Sequence, residues 1–380
     1  MKKTFIVSFY ITLCLISTSI PAKTQEVVSW IRKLYIPKPD TVSLLFLGDI
    51  MQHGQQLISA KTETGYNYLP CFSPIANRLK GADLTIANIE TTFGGPPYSG
   101  YPLFSSPDVL VSHLKESGFQ LLLTANNHIN DQGRKGLTRS LNLLDSLGML
   151  HTGLFRSKEE RSQRYPLLVV KKGIRIALLA YSYGTNGFSV PTPFLFNYID
   201  TTVISADIKR ATLMRPDFII ACMHWGEEYQ IDQNDKQQEL ASFLKRHGVD
   251  IVIGSHPHVV QGMEVYYNRY NEIEHFVAYS LGNVISNQPF PHTQLGLLVE
   301  VKLIKEGFYK AITSINHEWI VTEHRRIDGV RKFFTLPLYL CTVSSDSVTI
   351  QPDGTPLPSL YFITDTLPNK HRFVLKKKPR

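Results

Sequence analysis

Asp250-Ile251-Val252-Ile253-Gly254-Ser255-His256-Pro257-His258-Val259-Val260 reads as a buried strand running into a stiff turn that carries two histidines. The β-branched run Ile251–Ile253 has the composition of a strand covered on both faces. Gly254-Ser255 ends it. Pro257 has a fixed φ and biases His256 toward extended backbone. Two imidazoles held just past a strand end suit one metal centre, two neighbouring ones, or a plain solvated loop. The other strand ends decide between these readings.

Working outward, the same punctuation recurs. Ser43–Leu47 is a short apolar strand ending in Gly48-Asp49, and Asp83–Ala87 is a second ending in Asn88-Ile89-Glu90. Gln120–Ala125 ends in Asn126-Asn127-His128, and Asp217–Met223 ends in His224-Trp225. Between them, helices are expected over Phe72–Lys80, Ser106–Ser117 with Pro107 at its first position, Gly136–Leu147, Ser205–Met214 and Gln233–Arg246. Leu167–Val170 and Ile174–Ala180 form a hairpin about Lys171-Lys172-Gly173, and Met263–Tyr267 and His275–Ser280 are further strands. Alternating strands and helices argue for a layered α/β domain, in which ligands gather at the carboxyl ends of the strands.

Taken singly, each strand-end residue has an ordinary reading. Asp49 suits a helix N-cap, Glu90 a loop acid, Asn127 a turn, and His128 or His224 a buried hydrogen-bonded histidine. Their joint recurrence is the signal. Carboxylates, imidazoles and a carboxamide without a thiolate suit borderline divalent ions such as Mn, Zn or Fe, and argue against a structural zinc. A shared carboxylate flanked by imidazoles is how metal pairs are held for hydrolysis. His53, four residues past Asp49, reads as outside the set, and the Gly94–Gly100 loop reads as a lid or substrate loop.

The ends of the chain read differently. Met1-Lys2-Lys3, the apolar run from Phe5 to about Ile20 and Pro21-Ala22 have the pattern of a secretory signal over residues 1–22. Export to the periplasm or cell envelope is therefore expected, with an uncleaved membrane anchor as the alternative. Residues 23–41 read as a linker, residues 42–290 as the main domain and residues 346–380 as a turn-rich basic tail. Residues 291–345, with strands expected over Leu297–Ile304 and Tyr309–Ile320, read as a β-rich extension, either a separate small module or a continuation of the sheet. The net charge of +8 is accounted for by Lys2 and Lys3 and by Lys370, Arg372, Lys376, Lys377, Lys378 and Arg380. The neutral body excludes a nucleic-acid binder of the usual basic kind. Three cysteines after residue 22 make no disulfide framework.

The segments Gly48-Asp49-Ile50-Met51, Ala87–Glu90, Ala125–His128 with Asp131, His224–Tyr229, Gly254–Val259 and Tyr279–Asn283 resemble, in order, the capsule-synthesis CapA family associated with poly-γ-glutamate. That family is related to calcineurin-like metallophosphoesterases. The resemblance spans about Ser43 to Gln288 and implies a four-layer α/β/β/α sandwich with one or two divalent metals between its sheets. By similarity, Asp49 and His258 serve one metal, Asn127, His224 and His256 the other, Glu90 bridges, and His128 is the acid at the leaving group. Asn88, Asp131, Trp225 and Glu228 are implied as supporting or substrate residues. Met51 departs from the superfamily pattern, which has histidine there.

The resemblance implies an exported capsule-biosynthesis hydrolase. Its partners would be an anionic polymer or phosphoester and the envelope synthesis machinery. The alternative is a polymer export or anchoring factor that keeps the fold without turnover.

Overall fold

The computed structural model describes residues 40–338, together with the strand segments 341–344, 347–350, 355–356 and 374–377. The expected signal over residues 1–22, and most of the linker and of the basic tail, lie outside the described residues.

Strand β1 (Asp40–Ile50) starts inside the expected linker, because Asp40 and Thr41 pair with Lys305 and Ile304. It lies parallel to β2 (Leu84–Ile89), which is followed by β3 (Leu121–Leu123) and β4 (Leu150–Thr152). Its other edge takes β14 (Leu295–Glu306), then β15 (Tyr309–Ile327) and β16 (Val330–Pro337), all antiparallel. A second group runs β6 (Leu167–Lys171), β7 (Ile174–Ser182), β9 (Phe218–His224), β10 (Ile251–Ser255), β12 (Ile273–Ala278), β11 (Met263–Tyr267). Among the strand pairings of the described residues, only Ile273–Ile312 joins the two groups, so they behave as two sheets. Segment Val374–Lys377 of the basic tail adds a parallel strand beside β11.

Alternation along each strand sends side chains to two different cores. In β1, Val42, Leu44 and Phe46 face the second sheet, where they meet Ile176 and Leu178 of β7 and Ile251 and Ile253 of β10 in one cluster. Leu45 and Leu47 point the other way, onto Phe72, Ile75 and Leu79 of a helix at Leu69–Lys80 and Leu110 and Leu114 of one at Val109–Ser117. In the second sheet, Leu179, Ile219 and Val252 pack on Ile204 and Ile208 of the helix Thr201–Leu213 and Leu244 of the helix Asp235–Arg246. Three cores therefore separate four layers, α/β/β/α. Each fully buried Leu or Ile contributes about 1.5–3 kcal/mol of transfer free energy.

Of the two readings left open for the strands after residue 290, the structure shows continuation of the sheet: β14 and β15 lie between β1 and β12, and β14 supplies Leu297, Val299 and Val301 to the inter-sheet core. One expectation changes. The helix expected to open at Ser106 begins at Val109. The Ser106 hydroxyl is held by Thr91 at 2.7 Å and its N–H donates to Thr92 O, so it cannot cap.

His275 in β12 shows how this packing couples to pH. Its ring is buried, Nδ1–H donates to Val249 O at 2.8 Å, and Nε2 has no partner. Tyr266 packs against it, and Lys245 and Glu264 are the charged groups beside it. Burial pulls its pKa down to about 4. The unfolded chain takes up this proton near 6.5 and the folded chain only near 4, so stability falls as pH drops through that window. Urea unfolding of His275→Phe should show a loss between pH 7 and 4 that is smaller than wild type's by about 3 kcal/mol. An unchanged loss would contradict this account of His275.

Candidate metal centre

The site is built where the strands of both sheets end. Gly48 lets β1 pass the turn after β12, since a Cβ there would lie 1.8 Å from Gly282 O, and the Asp49 N–H donates to that same oxygen at 3.0 Å. The Glu90 N–H donates to Ile50 O at 3.0 Å and carries the acid under Asp49. His224 is the last residue of β9, in register with Ser255 at the end of β10. The turn beyond β10 is not extended as proline alone would dictate: His256 has φ +98° and His258 φ +58°. Tertiary hydrogen bonds outweigh the local bias. The His256 N–H donates to Asp49 Oδ2 at 3.1 Å, and the Tyr229 N–H donates to Pro257 O at 2.8 Å.

The side chains converge in a buried cluster. Asp49, Asn88, Glu90, Asn127, His224, His256 and His258 are all buried. His258 Nδ1 lies 3.3 Å from Asp49 Oδ2, and its Nε2 lies 3.7 Å from Glu90 Oε1. On the other side of Glu90 Oε1, His224 Nε2 lies 3.6 Å away and also meets Asn127 Oδ1 at 2.8 Å. Two sets of ligand atoms result, Asp49–Glu90–His258 and Glu90–His224–His256, each with its atoms within 4.8 Å of one another. They share Glu90. A third set, Glu228–His256–His258, adds the half-exposed Glu228 at the mouth.

The electrostatics ask for a cation. Burial, with the charges of Asp49 and Glu228, pushes Glu90 well above the usual carboxylate range. Burial pushes Asp49 up too, but its hydrogen bond to His258 and that ring's charge outweigh the effect and hold it below its ordinary value. The ion pairs that Asp49 and Glu90 make among the described residues are all with histidines. Burial pulls His224 down to about 3 and His256 well below its ordinary value, so both rings are neutral bases near neutral pH. Among the described residues, Glu90 Oε1, His256 Nδ1 and His258 Nε2 are buried with no hydrogen-bond partner. Unpaired lone pairs in one buried cluster are costly unless something electrophilic sits among them.

Neighbouring groups orient the ligand atoms. His258 Nδ1–H is shared between Asn283 Oδ1 at 3.1 Å and Asp49 Oδ2 at 3.3 Å, the tautomer that leaves Nε2 as the lone-pair nitrogen. His224 Nδ1 accepts from Asn88 Nδ2 at 3.3 Å and from Ser255 Oγ at 3.0 Å, and its Nε2–H donates to Asn127 Oδ1 at 2.8 Å, the proton that a metal would displace. Asn88 Nδ2 donates to Asp49 Oδ1 at 2.7 Å and approaches Glu90 Oε2 at 3.4 Å, and its Oδ1 accepts from Asn126. Such supporting bonds fix tautomer and aim. At the edge, His128 Nδ1–H donates to Asp131 Oδ2 at 2.8 Å, which also accepts the Phe104 N–H.

Trp225 is placed behind the site, with Nε1–H donated to Tyr279 O at 2.8 Å. Met51 is buried and its N–H donates to Ile285 O, where it adds no ligand atom. His53 lies edge-on to Phe104, its Nδ1 accepting the Asn287 N–H, and burial pulls it to about 4. Ser255 and Asn283 were missed as positioning residues, although Leu281-Gly282-Asn283 is one more strand end. Tyr183, 4.4 Å from the His256 ring, had no signal in the sequence.

A four-layer sandwich with buried carboxylates, imidazoles and a carboxamide at its strand ends defines an α/β protein with a candidate metal centre. Residues 43–288 match the family described as bacterial capsule synthesis protein PGA_cap, and the chain belongs to that family. It is similar to the PGA biosynthesis protein CapA of Bacillus subtilis (strain 168), 28% identical over 297 residues and 73% of each chain. It is also similar to the capsule biosynthesis protein CapA of Bacillus anthracis, 26% identical over 302 residues, 72% of this chain and 70% of that one.

Among solved structures, the NAD nucleotidase NadN of Haemophilus influenzae matches 78% of this chain at 16% identity, with a TM-score of 0.45. This chain spans 54% of the nucleotidase's length. The calcineurin-like phosphoesterase YfkN from Bacillus subtilis matches 74% of this chain and 91% of its own at 13% identity, with a TM-score of 0.44. These likenesses are loose, and the four layers rest on the strand order and the three cores.

Proposed function

We propose that this protein is an exported, metal-dependent hydrolase of capsule or cell-envelope assembly, acting on a phosphoester or amide centre. The observation that carries the reading is the pair of buried ligand sets that share Glu90, in which Glu90 Oε1, His256 Nδ1 and His258 Nε2 are buried without a hydrogen-bond partner among the described residues. This donor set fits one or two divalent ions, Mn, Zn or Fe. Asp49, Glu90 and His258 would hold one, and Glu90, Asn127, His224 and His256 the other. When bound, such ions polarise the reacting centre and activate water for attack. Export is supported by the sequence pattern of residues 1–22, and the capsule role by the family.

The chain's own residues supply the rest. Water adds across the P–O or C–N bond, and the departing oxygen or nitrogen needs a proton. His128 stands at the edge of the cluster, its Nδ1–H donated to the Asp131 carboxylate at 2.8 Å, which orients the ring for proton transfer through Nε2. Phe104, edge-on at 4.7 Å, shields it from bulk water. His128→Gln should lower kcat about 100-fold or more with an alkyl phosphate and much less with p-nitrophenyl phosphate, whose leaving group needs no acid. Equal losses on both substrates would remove His128 from this role.

Metal analysis after loading with Mn or Zn, followed by turnover of phosphoester and amide substrates, tests the whole reading. Bound metal with turnover supports it, and no bound metal under any loading condition ends it. One observation favours a second reading: Met51 leaves the Asp49 side short of the usual histidine. A fold retained for polymer export or anchoring would show capsule formation surviving His256→Ala.

A further inference from the structure

The loops that surround the centre have an unusual charge balance. Residues 51–53, 90–108, 124–132, 183–200, 225–234, 256–262 and 279–294 follow the strand ends and contain no lysine or arginine, although 40 of the chain's 380 residues are cationic. Among the described residues, cations reach these loops only from flanking elements: Arg134, whose Nη2–H donates to Thr192 O, Arg139 beside Gly95 and paired with Asp108, Arg161 on Asn197 Oδ1, and Lys236. The same loops carry exposed Glu227 and Asp232 and half-exposed Glu228.

Aromatic rings complete the rim, one tyrosine to each outer histidine. Tyr101, 71% exposed, lies 6.4 Å from His128. Tyr183, 46% exposed, lies 4.4 Å from His256. Tyr229 lies 6.1 Å from His258 and stacks on Phe290 at 4.1 Å. A recess of about 350 Å³ opens beside Tyr183, lined by Trp225, Glu227, Lys236 and Gln237. That is within the roughly 300–1,000 Å³ range of small-molecule sites.

Aromatic faces with a polar tip, beside carboxylates that accept paired hydroxyl hydrogens, complement a sugar ring. A polyanion would instead meet three acids, Glu227, Glu228 and Asp232, against Lys236 as the one cation lining the recess, and like charges brought together cost several kcal/mol. We infer that the centre acts on a phosphoester or amide group carried by an uncharged glycan. The glycan would be held between Tyr101, Tyr183 and Tyr229, with Glu227 and Glu228 accepting its hydroxyl hydrogens. The inference rests on the hydrolase reading and names its substrate class.

Binding of the full chain to an array of neutral bacterial glycans, poly-γ-glutamate and nucleotides tests it, with metal content measured on the same preparations. At least one neutral glycan should bind with little dependence on salt. Tyr183→Ala and Glu227→Lys should each weaken that binding about tenfold or more at unchanged metal content. Poly-γ-glutamate, if retained, should be released by salt and be insensitive to Tyr183→Ala, as binding to the Lys370–Arg380 tail would be. Poly-γ-glutamate or a nucleotide held in a Tyr183-dependent way would overturn the inference, as would no neutral glycan binding. Glycan bound without metal would fail the hydrolase reading alone, and metal bound without glycan would fail the glycan inference alone.

Discussion

Glu90→Gln should abolish the stabilisation that divalent metal confers while leaving the metal-free protein no less stable. Glu90 is the one residue common to both complete buried ligand sets, so its loss damages both metal positions at once. The substitution keeps shape and removes charge. In the metal-free protein that charge is unfavourable, because burial and the neighbouring Asp49 and Glu228 raise the Glu90 pKa. A folded carboxyl that holds its proton more tightly than the unfolded one contributes stability below about 4.5, and that stability is lost as pH rises through its folded pKa. Glutamine removes this loss, so the variant's melting temperature without metal should equal or exceed wild type's at pH 7.

With metal at about 1,000 times its Kd, wild type should gain about 4 kcal/mol and the variant close to nothing. Turnover should fall by about 1,000-fold or more, since the ions' contribution to the barrier goes with them. Differential scanning calorimetry with and without Mn reads the first effect. An unchanged metal-induced shift in Glu90→Gln would show that the ions bind elsewhere.

Gly254→Ala should be the most damaging single methyl in the second sheet. A Cβ at this position would lie 1.8 Å from Tyr279 O and 2.6 Å from Trp225 Nε1, inside the hydrogen bond that those two atoms make at 2.8 Å. Neither neighbour can yield, because Tyr279 O is backbone and Trp225 is packed behind His224. The strand end must move instead, and His256 and His258 would move with it. A stability loss of about 3 kcal/mol is expected, at the upper end for overpacking. Gly65→Ala, where nothing lies within 4 Å, is the control and should cost under about 0.5 kcal/mol. Urea unfolding of the pair should separate them clearly. Equal stabilities would mean that β10 and the turn after Tyr279 are not locked together as described.

The residues that could be read from sequence were those whose local chemistry and structural role coincide. Ile251–Ile253 is β-branched because it is covered on both faces, and Asp49, Glu90, His128, His224, His256 and His258 stand where apolar strands stop. What sequence reading missed depends on distant partners. Ser106 has every mark of an N-cap, yet its hydroxyl belongs to Thr91. The alternation in Leu297–Ile304 announces a strand but not that its neighbours are β1 and β15. His256 departs from extended backbone because Asp49, more than two hundred residues earlier, grips its N–H. Ser255, Asn283 and Tyr183 matter through what they touch, and nothing in their local sequence records it.

The central claim is that one buried carboxylate, Glu90, is shared by two metal positions. Anomalous diffraction from crystals of the loaded protein, collected at the absorption edge of the metal used, tests it most directly. The account predicts metal density on both sides of Glu90, one position contacted by Asp49 and His258 and the other by Asn127, His224 and His256. Density away from Glu90, or none after loading with Mn, Zn and Fe, would contradict it.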